Sequence, residues 1–184
     1  MMRFALSVLL AASGATAAPL LVEQGLYDNR DQAAKSPRDV DSAIPQVTVT
    51  IEPTPQKDFA LWQVHLQTDA ESTYEQTWAM QSRTEHDGSR SLIPYFQFKQ
   101  TSTPSAANFD VQGWLSLEAC ALRGEFGKTR SRAMSEGEPC AAAIMNVGAR
   151  RALLPVGIER NGARLQLDFN LRGKRTSIDL HRSE

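Results

Sequence analysis

The sequence predicts an all-β chain of about eight to ten short antiparallel strands, arranged as a sandwich or an up-and-down barrel with a short N-terminal helix. Three observations carry that expectation. From Gln46 onward apolar residues recur with period two. The runs are bounded by clusters of Gly, Pro, Ser or Asp. In the last third, turn signals set registers that place apolar residues opposite apolar residues.

The start of the chain is of another kind. Met1-Met2-Arg3 is basic, Phe4 to Ala12 is an apolar run broken only by Ser7, and Ala15-Thr16-Ala17 offers small residues for cleavage. These are the three regions of a secretory signal peptide. Cleavage after Ala18 would leave Pro19 first, so residues 1–17 are expected to be removed. No cysteine follows the apolar run, which argues against a lipid anchor. No later stretch approaches the roughly 18 apolar residues of a membrane-spanning helix. The expected product is an exported, periplasmic or secreted bacterial protein. Residues 18–45 form a polar N-terminal segment; within DNRDQAAK a short helix is expected, capped by Asp28 or Asn29 and stopped by Pro37. Residues 46–184 are expected to form the β-domain.

Within that domain QVTVTIE puts Val47, Val49 and Ile51 on one face. FALWQVHLQ puts Trp62, Val64 and Leu66 on one face and Phe59 and Leu61 on the other. TYEQTWAMQ offers Tyr74, Trp78 and Met80; SLIPYFQFK offers Leu92, Phe96 and Phe98; FDVQGWLSLEA offers Phe109, Val111, Leu115 and Leu117. Asp87-Gly88 signals a hairpin. A turn at Asn161-Gly162 sets Ile158 against Leu165, Val156 against Leu167 and Leu154 against Phe169. A turn at Arg172-Gly173 sets Leu167 against Ile178 and Leu165 against Leu180. Pro155 is expected at an edge, at a bulge or at the start of its strand. The inward aromatics either fill the interior or line a cavity.

Charge is unevenly spread. Residues 18–119 carry 7 basic and 14 acidic side chains, whereas residues 120–184 carry 12 and 7. Four of the basic residues, Arg123, Lys128, Arg130 and Arg132, lie between the only two cysteines, Cys120 and Cys140. In an oxidising compartment such a pair reads first as a disulfide. A zinc site needs more ligands than this pair offers, and a redox dithiol is usually C-x-x-C. The basic segment then reads either as solubilising charge or as a contact loop for an envelope partner, with Lys128, Arg130 and Arg132 as contacts. No nucleic-acid-reading pattern is present. The hydrolase, P-loop and dinucleotide motifs are absent, no metal site is expected, and the three histidines, His65, His86 and His181, form no recognisable set.

Three separated stretches resemble the CpcT/CpeT chromophore lyases. Gly25-Leu26-Tyr27-Asp28-Asn29-Arg30-Asp31-Gln32-Ala33 is similar to that family's G-x-[YF]-x-N-x-x-Q-A opening. Tyr74-Glu75-Gln76-Thr77-Trp78 sits where the family has a P-Y-R-Q-R-type strand. Leu117 to Cys120 and Gly137 to Cys140 resemble its paired-cysteine segment. The resemblance implies a lipocalin-like antiparallel barrel that holds a bilin or similar planar apolar ligand and passes it to a cysteine of an acceptor protein. It implies no required cofactor and no classical nucleophile. On this resemblance and the inward aromatics, the expected ligand-binding residues are Tyr27, Asn29, Gln32, Trp62, Tyr74, Gln76 and Trp78. The alternative is a non-enzymatic envelope interaction protein with a filled barrel and a disulfide-closed basic contact loop.

Overall fold

A computed structural model describes residues 21–37, 43–67, 73–97, 104–146, 153–171 and 173–183. The expected signal peptide, Phe98 and Arg172 lie outside the described residues. The chain runs β1 (Gly25–Asp28), α1 (Arg30–Lys35), β2 (Gln46–Pro53), β3 (Phe59–Gln67), β4 (Thr73–Thr84), β5 (Arg90–Phe96), β6 (Leu115–Ser116), β7 (Leu122–Phe126), β8 (Arg130–Met134), α2 (Gly137–Asn146), β9 (Pro155–Asn161), β10 (Arg164–Leu171) and β11 (Lys174–Arg182). All strand pairs are antiparallel. Ten strands close into an up-and-down barrel, with β1 against β11 at the seam, β4 against β5, and β6 hanging on β5. The sandwich alternative is thereby excluded.

Alternation builds the wall as expected. Val47, Val49 and Ile51 from β2, Trp62, Val64 and Leu66 from β3, and Trp78 and Met80 from β4 enter one central cluster. Leu165, Leu167, Ile178 and Leu180 enter it from β10 and β11. Each large apolar side chain so buried contributes roughly 1.5–3 kcal/mol relative to exposure. The β10–β11 register matches expectation, with Leu165 opposite Leu180 and Leu167 opposite Ile178. Pro155 opens β9, where its missing N–H is least costly, beside a register shift at Asp168/Phe169.

The β9–β10 register differs from expectation by two residues. Asn161 pairs with Arg164, so the turn is Gly162-Ala163, and Ile158 lies opposite Leu167 rather than Leu165. Gly162 has φ +59°, a left-handed value that glycine adopts without penalty. A two-residue shift keeps the same face inward, so the apolar pairing survives. It brings Arg160 opposite Leu165, at an inward position.

The other differences lie around residues 104–146. FDVQGWLSLEA is not a strand over its length: only Leu115–Ser116 pairs, and Leu115 is exposed. Phe109, Val111 and Trp114 instead cover the outer face of the wall, packing with Phe59, Leu61, Ala79 and Tyr95 in a second cluster. The basic segment between the cysteines is not a loop but the β7–β8 hairpin followed by the start of α2. Cys120 ends a 3-10 turn (Glu118–Cys120), Cys140 lies in α2, and the two are disulfide-bonded. In the chain-entropy picture this closure stabilises the fold by roughly 3 kcal/mol.

Both ends of the barrel are covered. At one end lies α2, which falls between β8 and β9 in the chain, with Leu117, Cys120, Cys140, Leu153 and Leu154 in the core. At the other end the segment Leu21–Gln24 crosses the mouth. Leu21 N–H donates to Ser82 Oγ of β4 at 3.4 Å, and Glu23 pairs with Arg160 of β9 at 3.2 Å and Arg182 of β11 at 3.1 Å. Leu21 and Val22 are buried in the central cluster.

Candidate functional site

The interior residues expected to hold a ligand are in place, and the chain itself occupies their polar groups. Trp62 and Trp78 are fully buried. Trp78 Nε1–H donates to the Leu153 carbonyl at 3.1 Å, and its ring lies 5.6 Å from that of Phe96. Gln76 Oε1 accepts from Leu153 N–H at 2.8 Å and from the Tyr74 hydroxyl at 3.0 Å. The segment that closes the helix end therefore sits where the sequence alone allowed a ligand's polar groups. Val47, Val49, Cys120, Leu122, Leu165, Leu167, Phe169, Ile178 and Leu180 have no surface reachable by water. Close packing of this kind fills the centre of the barrel.

Asn29 and Gln32 do different work. β1 leaves the wall after Asp28 to enter α1, which opens a gap between β2 and β11. Asn29 bridges to β2: its Nδ2–H donates to the Pro45 carbonyl at 2.9 Å, and its Oδ1 accepts from Val47 N–H at 2.6 Å. Gln32 bridges to β11: its Oε1 accepts from Asp179 N–H at 2.9 Å, and its Nε2–H donates to the Ser177 carbonyl at 3.4 Å. Asn29 Nδ2 also reaches Gln32 Oε1 at 3.4 Å. Two side-chain amides thus continue the ladder where backbone is missing, because each amide offers the same donor and acceptor as a peptide group. Asn29 stands at the N-cap position but makes no side-chain cap bond; Asp28 Oδ1 accepts from Arg30 N–H instead.

The mouth crossed by Leu21–Gln24, the strap, holds a buried arginine. Arg160 is 5% exposed, and a guanidinium so placed needs counter-charge and acceptors. Its Nη1–H donates to Glu23 Oε1, while its Nη2–H donates to the carbonyls of Gly127 and Lys128, each at 2.6 Å. Its Nε is buried without a partner. The Tyr27 hydroxyl donates to the Glu23 carbonyl at 3.0 Å. Burial raises the Tyr27 pKa, and although Arg182 and Arg160 oppose the rise the phenol stays neutral. Arg160 went unrecognised in the sequence because the register expected for β9 paired only apolar residues; the signal available was its separation of two from Ile158, which puts both on one face.

The outer wall of β8 to β11 carries mixed charge. A groove of about 420 Å³ is lined by Arg132, Met134, Glu159, Gln166, Asp168 and Arg175 among others. Asp168 accepts from Ser177 Oγ at 2.6 Å, from Gln166 Nε2 at 3.4 Å, and from Arg175. Burial pushes the Asp168 pKa upward, but these hydrogen bonds prevail and hold it below the usual carboxylate range. Gly157 makes room for this cluster, since a Cβ there would lie 2.7 Å from Asp168 Oδ2.

On the β7–β8 hairpin Lys128, Arg130 and Arg132 are exposed. Arg130 pairs with Glu159 at 3.6 Å, and Arg132 lies between Glu125 and Glu159 in register. The hairpin tip is fixed by Arg160 and by Gly162 N–H donating to the Thr129 carbonyl at 2.9 Å.

The three histidines are dispersed over the outer surface. His65 faces Glu75 at 3.0 Å on the exposed outer wall, and His86 and His181 are exposed. Among the described residues no three His, Cys, Asp or Glu side chains are grouped to hold a metal ion, and no helix is long and apolar enough to cross a membrane. No family model and no curated protein matches the sequence.

Proposed function

We propose that this is an exported, non-enzymatic interaction protein of the cell envelope, and that its contact element is the β7–β8 hairpin. One observation carries the reading: the hairpin is held in shape at both ends. The Cys120–Cys140 bond clips its base to α2, and Arg160 binds two carbonyls at its tip. Lys128, Arg130 and Arg132 nevertheless stay exposed. A rigid element loses little conformational entropy on docking. The disulfide fits an oxidising compartment. The alternation of Arg130 and Arg132 with Glu125 and Glu159 suits a partner surface of mixed charge. Pull-down from envelope extract with the purified protein and an Arg130→Ala/Arg132→Ala variant tests this. A partner recovered by the first and lost by the second is the expected result; equal recovery of every partner contradicts it.

A second reading keeps the CpcT/CpeT resemblance: capture of a bilin or similar planar apolar ligand, with transfer to a cysteine of an acceptor protein. The closed antiparallel barrel favours it, being the architecture the resemblance implies. It requires Trp62, Tyr74, Gln76 and Trp78 to be released from the packing described above. Addition of biliverdin at tens of micromolar, followed by its visible spectrum and by Trp fluorescence, decides: no spectral shift and no quenching rules it out.

A further inference from the structure

The flap over the outer wall leaves a small pocket that neither reading uses. It has a volume of about 200 Å³ and is lined by Gln97, Asn108, Phe109, Asp110, Gln112 and Trp114 among others. Local chain geometry builds it. The Val111 carbonyl accepts from Trp114 N–H at 3.0 Å, and Gly113 has φ +87°, the left-handed value that the third residue of such a turn requires. Asp110 Oδ1 accepts from Gln112 N–H at 3.0 Å and fixes the start of the turn. The turn returns Trp114 to Phe109, with ring centres 5.6 Å apart. Phe109 lies 5.3 Å from Phe59 of β3, which lies 5.2 Å from Tyr95 of β5. Trp114 is thus the outer end of a row of four rings anchored in the wall, and it stays partly exposed.

The polar lining is of one kind. Gln97, Asn108 and Gln112 carry amides that make no side-chain hydrogen bond among the described residues, and neither does the Trp114 indole N–H. Asp110 has no basic partner among the described residues, whereas Glu118, Glu159, Asp168 and Asp179 are each paired with an arginine. Carboxylates and amides are forks that present two adjacent polar atoms. They match two neighbouring hydroxyls of a sugar ring, since each hydroxyl both donates and accepts. An indole face matches the apolar C–H face of such a ring. No cation offsets Asp110, so the pocket favours a neutral ligand over an anionic one. We propose that this pocket binds one neutral pyranose ring, stacked on Trp114 and held through its hydroxyls by Asp110 and the three amides. The volume suits a single six-membered ring, so a longer glycan enters by its end. No internal contact has to break, because Asn108, Asp110 and Gln112 are exposed and their free polar atoms are solvated.

The test is a titration with glucose, galactose, mannose and N-acetylglucosamine and their methyl glycosides, with glucuronate as the anionic control. It is followed by the indole N–H signals in proton–nitrogen NMR spectra. The chain has three tryptophans, and Trp62 and Trp78 are fully buried, so only the Trp114 signal should move. A Trp114→Phe variant assigns that signal. The best neutral sugar binds with a millimolar Kd, as a small ligand with few contacts should, and glucuronate binds at least about tenfold more weakly. Asp110→Asn keeps an acceptor for Gln112 N–H but loses the charge, and weakens the best sugar by roughly five- to tenfold. Trp114→Ala abolishes binding; its melting curve is recorded alongside, because Trp114 also packs on Phe109. Asp110→Asn removes no packed ring, so the proposal stands or falls on it even where Trp114→Ala fails to fold. A methyl glycoside bound as tightly as the free sugar supports the end of a glycan as the source, and its rejection supports a free monosaccharide. A Trp114 signal unmoved by every neutral sugar up to about 50 mM, equal binding of glucuronate, or equal affinity in Asp110→Asn each overturns the proposal. None of these results depends on the β7–β8 hairpin or on the barrel interior.

Discussion

One end of the barrel is closed by elements held by a disulfide and by buried neutral hydrogen bonds; the other is closed by a segment whose polar links include ion pairs. At the helix end α2 follows β8, Leu153 and Leu154 lead into β9, and α2 is joined to Cys120 by a disulfide. The hydrogen bonds of Leu153, from Trp78 and to Gln76, are buried and neutral. At the strap end Leu21–Gln24 leads into β1, and its polar links are the two ion pairs of Glu23, the Tyr27 hydroxyl on the Glu23 carbonyl and the Leu21 N–H on Ser82 Oγ. Both closures bury aliphatic side chains in the same core. They differ in what a local opening must break: a covalent link and buried neutral hydrogen bonds at one end, ion pairs and two hydrogen bonds at the other.

The largest expected effect lies at the helix end. Reduction, or a Cys120→Ala/Cys140→Ala change, should lower stability by roughly 2–4 kcal/mol, or on the order of 10 °C in melting temperature by calorimetry. Gln76→Leu comes next. It removes the acceptor of the buried Leu153 N–H, at about 1–3 kcal/mol, read from urea midpoints at unchanged slope. If either change leaves stability intact, the helix end is not the tighter one.

Between the two ends the wall carries its own signature. The Asp168 pKa is depressed, so its contribution is fully present above the ordinary carboxylate range near pH ~4 and is lost as pH falls through the lower folded value. Asp168→Asn should therefore destabilise at neutral pH and converge with the unmodified protein in acid. A constant difference from pH 7 to 2 would show that the hydrogen bonds from Ser177, Gln166 and Arg175 do not act through the charge. The smallest effect belongs to the exposed ion pair at the mouth: Arg182→Gln should cost less than about 1 kcal/mol, and the cost should shrink in high salt.

Much of this wall was legible in the sequence, because period-two burial writes itself directly into β2, β3 and β4. The β10–β11 hairpin was legible too, since Arg172-Gly173 and the apolar pairs specify one register. The β9–β10 hairpin was not. Asn161-Gly162 reads as a turn, yet the positive φ falls on the first turn residue, Gly162, and either register buries Ile158. That degeneracy hid Arg160. FDVQGWLSLEA misled because alternating apolar residues also suit a flap laid over an already formed sheet face. α2 was overlooked although Pro139 in a first turn and the alanines after Cys140 are compatible with a helix. The alternation put Trp62, Gln76 and Trp78 on the inward face, but the partner of the Gln76 and Trp78 polar groups, Leu153, is far away in sequence and no local pattern announces it.

The difference between the two ends is tested most directly by native-state hydrogen exchange at two places, Val22–Gln24 and Leu153–Leu154. The account predicts that the strap amides exchange through a local opening that low denaturant does not accelerate, while Leu153 exchanges only with global unfolding. Equal protection of the two, rising and falling together with denaturant, would contradict it.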